Sequence, residues 1–186
     1  MKITFRRQQT FLILAMTICG HGVSQAASAD PLSGLECRGK ADHDWLQQSR
    51  DSVVKESLFR FAIEQAGRPI SCEVKDWSIT EEGKFGTLVY QFKNGATYSL
   101  ESSPPETLAY AFSTSNGFAQ ESKAISSIKK AAAAKGLHVD WTEPQIEKSG
   151  DVETKTFWDP NEAVNGRAFL SWKNGQLISI GYGMAL

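Results

Sequence analysis

Two segments constrain the fold of this chain more than any other feature. In each of them a β-rich run, the tripeptide Lys-Asn-Gly and a second β-rich run follow one another. The tripeptides are Lys93-Asn94-Gly95 and Lys173-Asn174-Gly175, at an offset of 80 residues. Asn-Gly between two such runs favours a tight turn because both residues tolerate positive φ. The sequence therefore predicts two antiparallel hairpins, formed by residues 85–92 with 96–102 and by residues 168–172 with 177–182.

Each hairpin follows a segment with helical periodicity. Between residues 42 and 66 apolar side chains recur at steps of three and four, which predicts an amphipathic helix that ends at Gly67 and is open to a break at residues 49–52. A second helix is predicted at about residues 119–135, where Gly136 ends it.

Shorter segments complete the predicted elements. Strands are predicted at residues 70–80, 137–141 and 153–158. Residues 108–112 are interpreted either as a short edge strand or as part of a loop, because they follow the break at Pro104-Pro105. No low-complexity tail or flexible linker is visible in the sequence.

The order of these parts repeats along the chain. A helix ended by glycine, a strand with an acid beside a tryptophan, and a Lys-Asn-Gly hairpin occur twice; the acid–tryptophan pairs are Asp76-Trp77 and Asp140-Trp141. The alternative is that Lys-Asn-Gly is a common hairpin turn used twice. We predict an α+β fold with a tandem duplication, residues 30–103 and 104–186, whose helices pack on one face of an antiparallel sheet.

The first 29 residues have the three regions of a secretory signal. Basic residues at the start are followed by an apolar run over residues 10–18 and by Ala27-Ser28-Ala29, which predicts cleavage after Ala29. The alternatives are an anchor that is never cut and lipidation at Cys19; the side chains before Cys19 fit a lipoprotein site poorly. The mature protein is therefore expected in the periplasm or outside the cell.

The charge of the mature chain argues against two classes of partner. Residues 30–186 carry 17 Lys and Arg and 21 Asp and Glu, a net charge of −4. Such a mildly acidic, interspersed surface gives no electrostatic reason to bind nucleic acid or an anionic membrane. No later apolar run approaches the length of a membrane span, so membrane insertion of the mature chain is not expected.

Two cysteines remain after removal of the signal. Cys37 and Cys72 are an even pair in an oxidising compartment, which predicts a disulfide closing a loop of 35 residues. The competing interpretation is a reactive thiol with a histidine partner.

No motif in the sequence names a reaction, a cofactor or a metal. The mature chain offers only His43 and His138 as imidazole bases, and neither lies in a nucleophile, phosphate-loop or zinc motif. Adjacent acids such as Glu81-Glu82 are typical of turns rather than of catalytic pairs. We therefore expect no catalytic residues and no cofactor.

Aromatic and loop residues are the remaining candidates for recognition. Trp77 follows Glu73 and Lys75 at a period of two, which favours an exposed anchor, although a rim tryptophan packed on its own helix would give the same pattern. Between residues 102 and 118, mobile polar residues mix with aromatic ones, which is typical of a binding loop or a plain connector. The predicted partner-binding residues are Trp77, Tyr110, Phe112, Ser113, Ser115 and Asn116.

Two classes of function are consistent with these features. The first is a non-catalytic exported binding protein, such as an inhibitor or immunity protein that acts on an enzyme attacking the cell envelope. The predicted element order resembles that of β-lactamase inhibitory proteins, which also repeat a helix and antiparallel strands; the resemblance transfers no residue. The second class is an envelope enzyme or small-ligand carrier with a site around His138, Asp140 and Trp141.

Overall fold

The computed structural model describes residues 30–81, 83–104, 106–161 and 165–184. Residues 1–29, which include the predicted signal, lie outside the described part. The described residues form three helices: α1 (His43–Lys55), α2 (Ser57–Ala66) and α3 (Glu121–Ala134). They also form nine strands: β1 (Cys37–Arg38), β2 (Pro69–Thr80), β3 (Gly83–Phe92), β4 (Thr97–Ser103), β5 (Glu106–Ser113), β6 (Gln145–Ser149), β7 (Val152–Trp158), β8 (Gly166–Lys173) and β9 (Gln176–Met184).

The predicted α+β class is confirmed, with most of the regular structure in one sheet. The strand order is β1-β2-β3-β4-β5-β9-β8-β7-β6. All neighbours are antiparallel except β1 and β2, which are parallel. The strands β2–β5 and β6–β9 are therefore two four-stranded meanders that join at the centre through β5 and β9.

Glu56 divides the first predicted helix in two. The backbone of Glu56 is extended, with φ −78° and ψ 131°, so the helix breaks there and not at residues 49–52. The Glu56 carboxylate accepts hydrogen bonds from the Leu58 N–H at 3.2 Å and from the Ser57 hydroxyl at 3.1 Å. These bonds satisfy donors at the start of α2, which is the usual role of an N-cap side chain.

Two of the predicted strands are corrected by the sheet. Residues 108–112 belong to β5, which pairs with β4 on one side and with β9 on the other and therefore lies at the centre of the sheet and not at its edge. Leu108, Tyr110 and Phe112 point into the core. Residues 137–141 form no strand; the Asp140 N–H donates to the Trp158 carbonyl, and this segment runs past the end of β7. The polar stretch that follows forms β6, for which the sequence predicted no strand.

The two Lys-Asn-Gly hairpins form, but their turns differ. In the first, Gly95 takes φ 80° and the Phe92 N–H donates to the Ala96 carbonyl across a three-residue turn. In the second, Lys173 pairs directly with Gln176, and both residues between them have positive φ, 49° and 78°. The first turn joins the second and third strands of its meander, and the second joins the third and fourth. The tripeptides are therefore not equivalent positions of the two meanders, and the tandem duplication stays a prediction.

Aromatic side chains of the helices contact alternate residues of the sheet. The ring of Phe59 on α2 lies 5.5 Å from Tyr90 and 4.9 Å from Tyr98. Trp45 on α1 lies against Gly86, where an added Cβ would come within 2.7 Å of the indole. We call the side of the sheet that carries these contacted residues the inner face. Its buried members include Leu88, Tyr90, Tyr98, Leu100, Tyr110, Phe112, Phe157, Ala168, Leu170, Ile180 and Tyr182.

The predicted disulfide is present between Cys37 and Cys72. These residues are paired in the register of β1 and β2, with their Cα atoms 4.4 Å apart. The bond therefore ties the segment before α1 to the first long strand after α2. Among the described residues no helix is long and apolar enough to cross a membrane.

Candidate functional site: the outer face of the sheet

The side of the sheet opposite the inner face carries mainly exposed and half-buried side chains, with Ser171 buried, and we call it the outer face. Strand register arranges them in three rows. The first row is Thr87, Glu101, Ala109, Gly183, Arg167 and Trp158; the second is Val89, Ser99, Ala111, Gly181, Phe169 and Thr156; the third is Gln91, Thr97, Ser113, Ser179, Ser171 and Thr154. The helix contacts of Trp45 and Phe59 described above lie on the inner face.

The centre of the outer face is built from small residues. Where β5 meets β9, Ala109 pairs with Gly183, Ala111 with Gly181 and Ser113 with Ser179. The two serine hydroxyls are hydrogen-bonded at 2.8 Å. Apart from the position of Gly181, these small side chains leave a low floor about two strands wide, which another surface can approach closely.

Phe169 is the aromatic residue nearest to this floor. Its ring lies over Gly181 on the neighbouring strand, so that a Cβ at position 181 would overlap the ring. Phe169 is half-buried although it points away from the helices. Half-buried aromatic residues at the centre of an open surface are the side chains that most often dominate protein interfaces.

Trp158 and Arg167 lie beside Phe169, at the β7 side of the outer face. The Arg167 guanidinium lies 5.7 Å from the centre of the Trp158 ring, and 37% of Trp158 is exposed. The indole N–H donates to the Gln145 side-chain carbonyl at 3.3 Å. The indole therefore contacts a cation through its ring and an amide through its N–H.

Two charges of the first row lack ion-pair partners among the described residues. Arg167 and Glu101 are both exposed, and neither takes part in the salt bridges of this part of the chain. Glu73 and Lys75, at the β2 edge, are paired with each other at 3.5 Å. Within the three rows, Arg167 and Glu101 are therefore the charges that a partner can neutralise.

Trp77 does not lie on the outer face. It is partly buried and packs on Trp45 of α1, with ring centres 5.1 Å apart. The period of two that favoured an exposed Trp77 is broken by an irregularity between Lys75 and Ser78, where Asp76 takes φ 53°. A bulge of this kind turns the following side chain to the other side of the strand.

The other predicted partner-binding residues separate into two environments. Tyr110 and Phe112 are 2% and 1% exposed, so their side chains have no surface to offer a partner. Ser113 is half-buried and lies in the third row of the outer face. Ser115 and Asn116 are exposed in the turn between β5 and α3.

His138, Asp140 and Trp141, the residues proposed for an enzyme or carrier site, each contact a different neighbour within the chain. The Asp140 carboxylate accepts from the backbone and hydroxyl of Thr142 at 2.8 and 2.7 Å, and these bonds lower the pKa of Asp140. Trp141 packs on Phe157 at 5.0 Å. His138 is exposed and donates its backbone N–H to Asp159 at 2.7 Å. His43 is exposed beside Asp44 at the start of α1.

One polar cluster lies between the helices and the sheet. The partly exposed Lys135 ammonium donates to the Tyr110 hydroxyl and forms an ion pair with Glu56, each at 3.2 Å. The buried hydroxyls of Tyr90 and Tyr98 have no partner among the described residues, and the Tyr182 hydroxyl interacts with the Glu56 carboxylate. Burial, and for Tyr98 and Tyr182 also the charge of Glu56, raises the pKa of these tyrosines well above the usual value. Glu56 is also the N-cap residue of α2, so its burial has a structural role that needs no ligand. No group of three or more metal-ligating side chains occurs in the described part of the chain.

No protein-family model, curated protein or solved structure matches this chain. The resemblance in element order to β-lactamase inhibitory proteins therefore gains no support from comparison.

Sequence reasoning missed Phe169, Arg167 and Trp158 as surface residues. A signal for two of them was present, because Ala168 and Leu170 alternate with Arg167 and Phe169 along the predicted strand. The alternation assigns Arg167 and Phe169 to one side together. What the sequence lacks is the pairing with β9 that brings Phe169 over Gly181.

Proposed function

We propose that this protein is an exported, non-catalytic binding protein that contacts a protein partner through the outer face of its sheet. The observation that carries the proposal is the contrast between the two faces. The inner face is covered by three helices, whereas the outer face presents Phe169, Arg167 and Trp158 around a floor of small residues. Aromatic residues and arginine around an accessible centre are the composition of interface hot spots.

Export is supported by the disulfide, and the proposed cleavage after Ala29 is compatible with the contacts of the segment that follows it. Disulfides persist in oxidising compartments. The segment before β1 is held by two arginines: Arg68 donates to the carbonyls of Asp30, Pro31 and Ser33, and Arg50 donates to those of Leu32 and Leu35. A cut after Ala29 would leave all these bonds in place. Mass spectrometry of protein from the envelope or medium of the producing cells should then find a chain that begins at Asp30; a lipidated Cys19 or an intact Met1 would contradict this.

The narrower form of the proposal is an inhibitor or immunity protein that acts on an enzyme attacking the cell envelope. A blocking protein needs a rigid surface that loses little entropy on binding. Support comes from the position of the three rows on the middle strands of a nine-stranded sheet and from the hydrogen bond that the Trp158 indole donates to Gln145.

The proposal is tested by capture on the immobilised mature chain with its disulfide intact. Envelope and culture fractions are passed over the native chain, over Phe169→Ala and Arg167→Glu, and over two controls. Lys130→Glu makes the same charge change on the exposed surface of α3, and Ile79→Ala removes an apolar side chain that is 70% exposed away from the outer face.

We expect one protein that binds the native chain and both controls and is lost, by about tenfold or more, on the two outer-face variants. A protein that is retained by the outer-face variants as well as by the controls would overturn the assignment of this face. An enzyme of cell-wall or envelope breakdown whose activity falls on binding would support the narrower form.

A further inference from the structure

We propose that the outer face is complementary to itself, and that in the free protein a second copy of the chain covers it in a two-fold symmetric dimer. The inference rests on the outer face being the binding surface, as proposed above. The second copy is the molecule that covers this face until a target displaces it.

The first row supplies the charge complementarity. Glu101 pairs with Ala109, Ala109 with Gly183, and Gly183 with Arg167, so the acid and the base stand in one row on four adjacent strands. Three strand spacings separate them, about 14 Å at roughly 4.8 Å each. Neither can reach the other within one chain, and both lack ion-pair partners among the described residues.

A two-fold axis parallel to the strands, between β5 and β9, relates these charges across two facing sheets. Rotation about this axis exchanges the left and right halves of the outer face and keeps each residue at its height along the strands. Arg167 of one copy then lies opposite Glu101 of the second copy, and the same contact occurs a second time. Such reciprocal contacts are the defining property of a two-fold interface.

The remaining positions of the three rows are compatible with this axis. Gly181 of one copy faces Ala111 of the other, which leaves room for the Phe169 ring that lies over Gly181. Ser179 faces Ser113, and Phe169 faces Ser99. No like charges oppose one another in these rows. An axis perpendicular to the strands would place Arg167 opposite Ser171 and form no ion pair.

The size of the patch sets the expected affinity. Six strands and three rows span about 24 Å by about 14 Å between the outermost positions, on the order of 500 Å² per copy with its rim. Stable complexes bury about 800 Å² per partner, so this dimer should be weak and should dissociate on dilution. A target with a larger contact area can therefore displace the second copy.

The test is sedimentation of the disulfide-bonded mature chain between about 10 μM and about 500 μM, a range that a weak dimer should cross. We expect the mass to rise from monomer towards dimer with concentration. Arg167→Glu alone and Glu101→Arg alone should each raise the dissociation constant about tenfold or more, because two like-charge contacts replace two ion pairs. The control Lys130→Glu should behave like the native chain.

An equimolar mixture of the two single variants provides the decisive readout. In a mixed dimer the glutamate introduced at position 167 of one chain faces the arginine introduced at position 101 of the other. The unchanged Glu101 of the first chain faces the unchanged Arg167 of the second. The mixture should therefore associate at concentrations where neither variant does alone. The double variant should also recover association. A monomer at every concentration, or variants that fail to recover on mixing, would overturn the dimer and leave the proposed target binding intact. If the chain dimerises as expected but Arg167→Glu still captures a target from the envelope or culture fractions, the proposed target-binding surface would be overturned instead.

Discussion

Phe169 and Gly181 form one unit on the outer face, since the ring of the first occupies the space that a side chain at the second would need. They are paired residues of neighbouring strands, β8 and β9. A glycine within a strand weakens the strand unless something packs over it. Here the aromatic ring supplies that packing and at the same time gives the open surface its central apolar side chain.

Gly181→Ala should destabilise the protein by about 1–3 kcal/mol, because the methyl group overlaps the Phe169 ring and crowds the Tyr110 carbonyl. Phe169→Ala removes the first of these conflicts. In a double-mutant cycle measured by urea unfolding, the double variant should therefore lose less stability than the sum of the single variants. Strict additivity would show that the ring does not lie over position 181.

Trp77→Ala should lower the free energy of unfolding by about 1–3 kcal/mol without changing target binding, because Trp77 packs on Trp45. Trp158→Ala is the matched comparison on the outer face. It should change stability little and weaken binding of the captured target. Loss of target binding on Trp77→Ala, with the fold retained, would restore Trp77 as an anchor.

Replacing both Cys37 and Cys72 by alanine should cost about 3–4 kcal/mol, the value expected for opening a loop of 35 residues. The bond lies between β1 and β2, at the far edge of the sheet from β7 and β8. Binding through the outer face should therefore survive under conditions where the variant stays folded. A loss below about 1 kcal/mol in urea unfolding would mean that the bond constrains the unfolded chain much less than its loop length implies.

The stability of the protein should fall at alkaline pH. The pKa values of Tyr90, Tyr98 and Tyr182 are raised above the ordinary 10.0 in the folded state, mainly by burial. Their contribution is present in full below pH 10 and is lost as the pH rises above it, because the unfolded tyrosines then release protons that the folded ones retain. Each adds a slope of up to about 1.4 kcal/mol per pH unit.

Urea unfolding between pH 8 and pH 11.5 measures this slope, and tyrosinate absorbance reports the ionisation. Tyr90→Phe is the matched variant: it removes one buried hydroxyl without a partner, so it should reduce the slope by about a third and leave stability at pH 8 equal or higher. Full tyrosinate absorbance in the folded protein near pH 11 would contradict the burial of these hydroxyls.

The elements fixed by local sequence were predicted well. Positive φ is taken by Gly95 in the first hairpin turn and by Asn174 and Gly175 in the second. Gly67 and Gly136, which follow the ends of α2 and α3, also have positive φ. β6 was missed because all five of its residues are exposed, so no alternation of apolar and polar residues marks it. β5 was misjudged because a central strand and an edge strand share one pattern, and only the pairing with β9 distinguishes them.

The candidate site was less predictable than the fold. Tyr110 and Phe112 were expected at the surface because aromatic residues near a polar turn suit a binding loop, yet register directs them into the core. The row that contains Arg167 and Glu101 depends on four strands, two from each meander, that pair in one register. Such long-range pairing is not encoded in any local pattern.

The most direct test of the outer face is site-specific photo-cross-linking in the producing cells. A photoreactive amino acid at Ser99, in the second row, is compared with the same amino acid at Lys130 on α3. We expect position 99 to cross-link to a defined protein, either a second copy of the chain or its target, and position 130 to give no such product. The same products from both positions, or none from position 99, would contradict a binding role for this face.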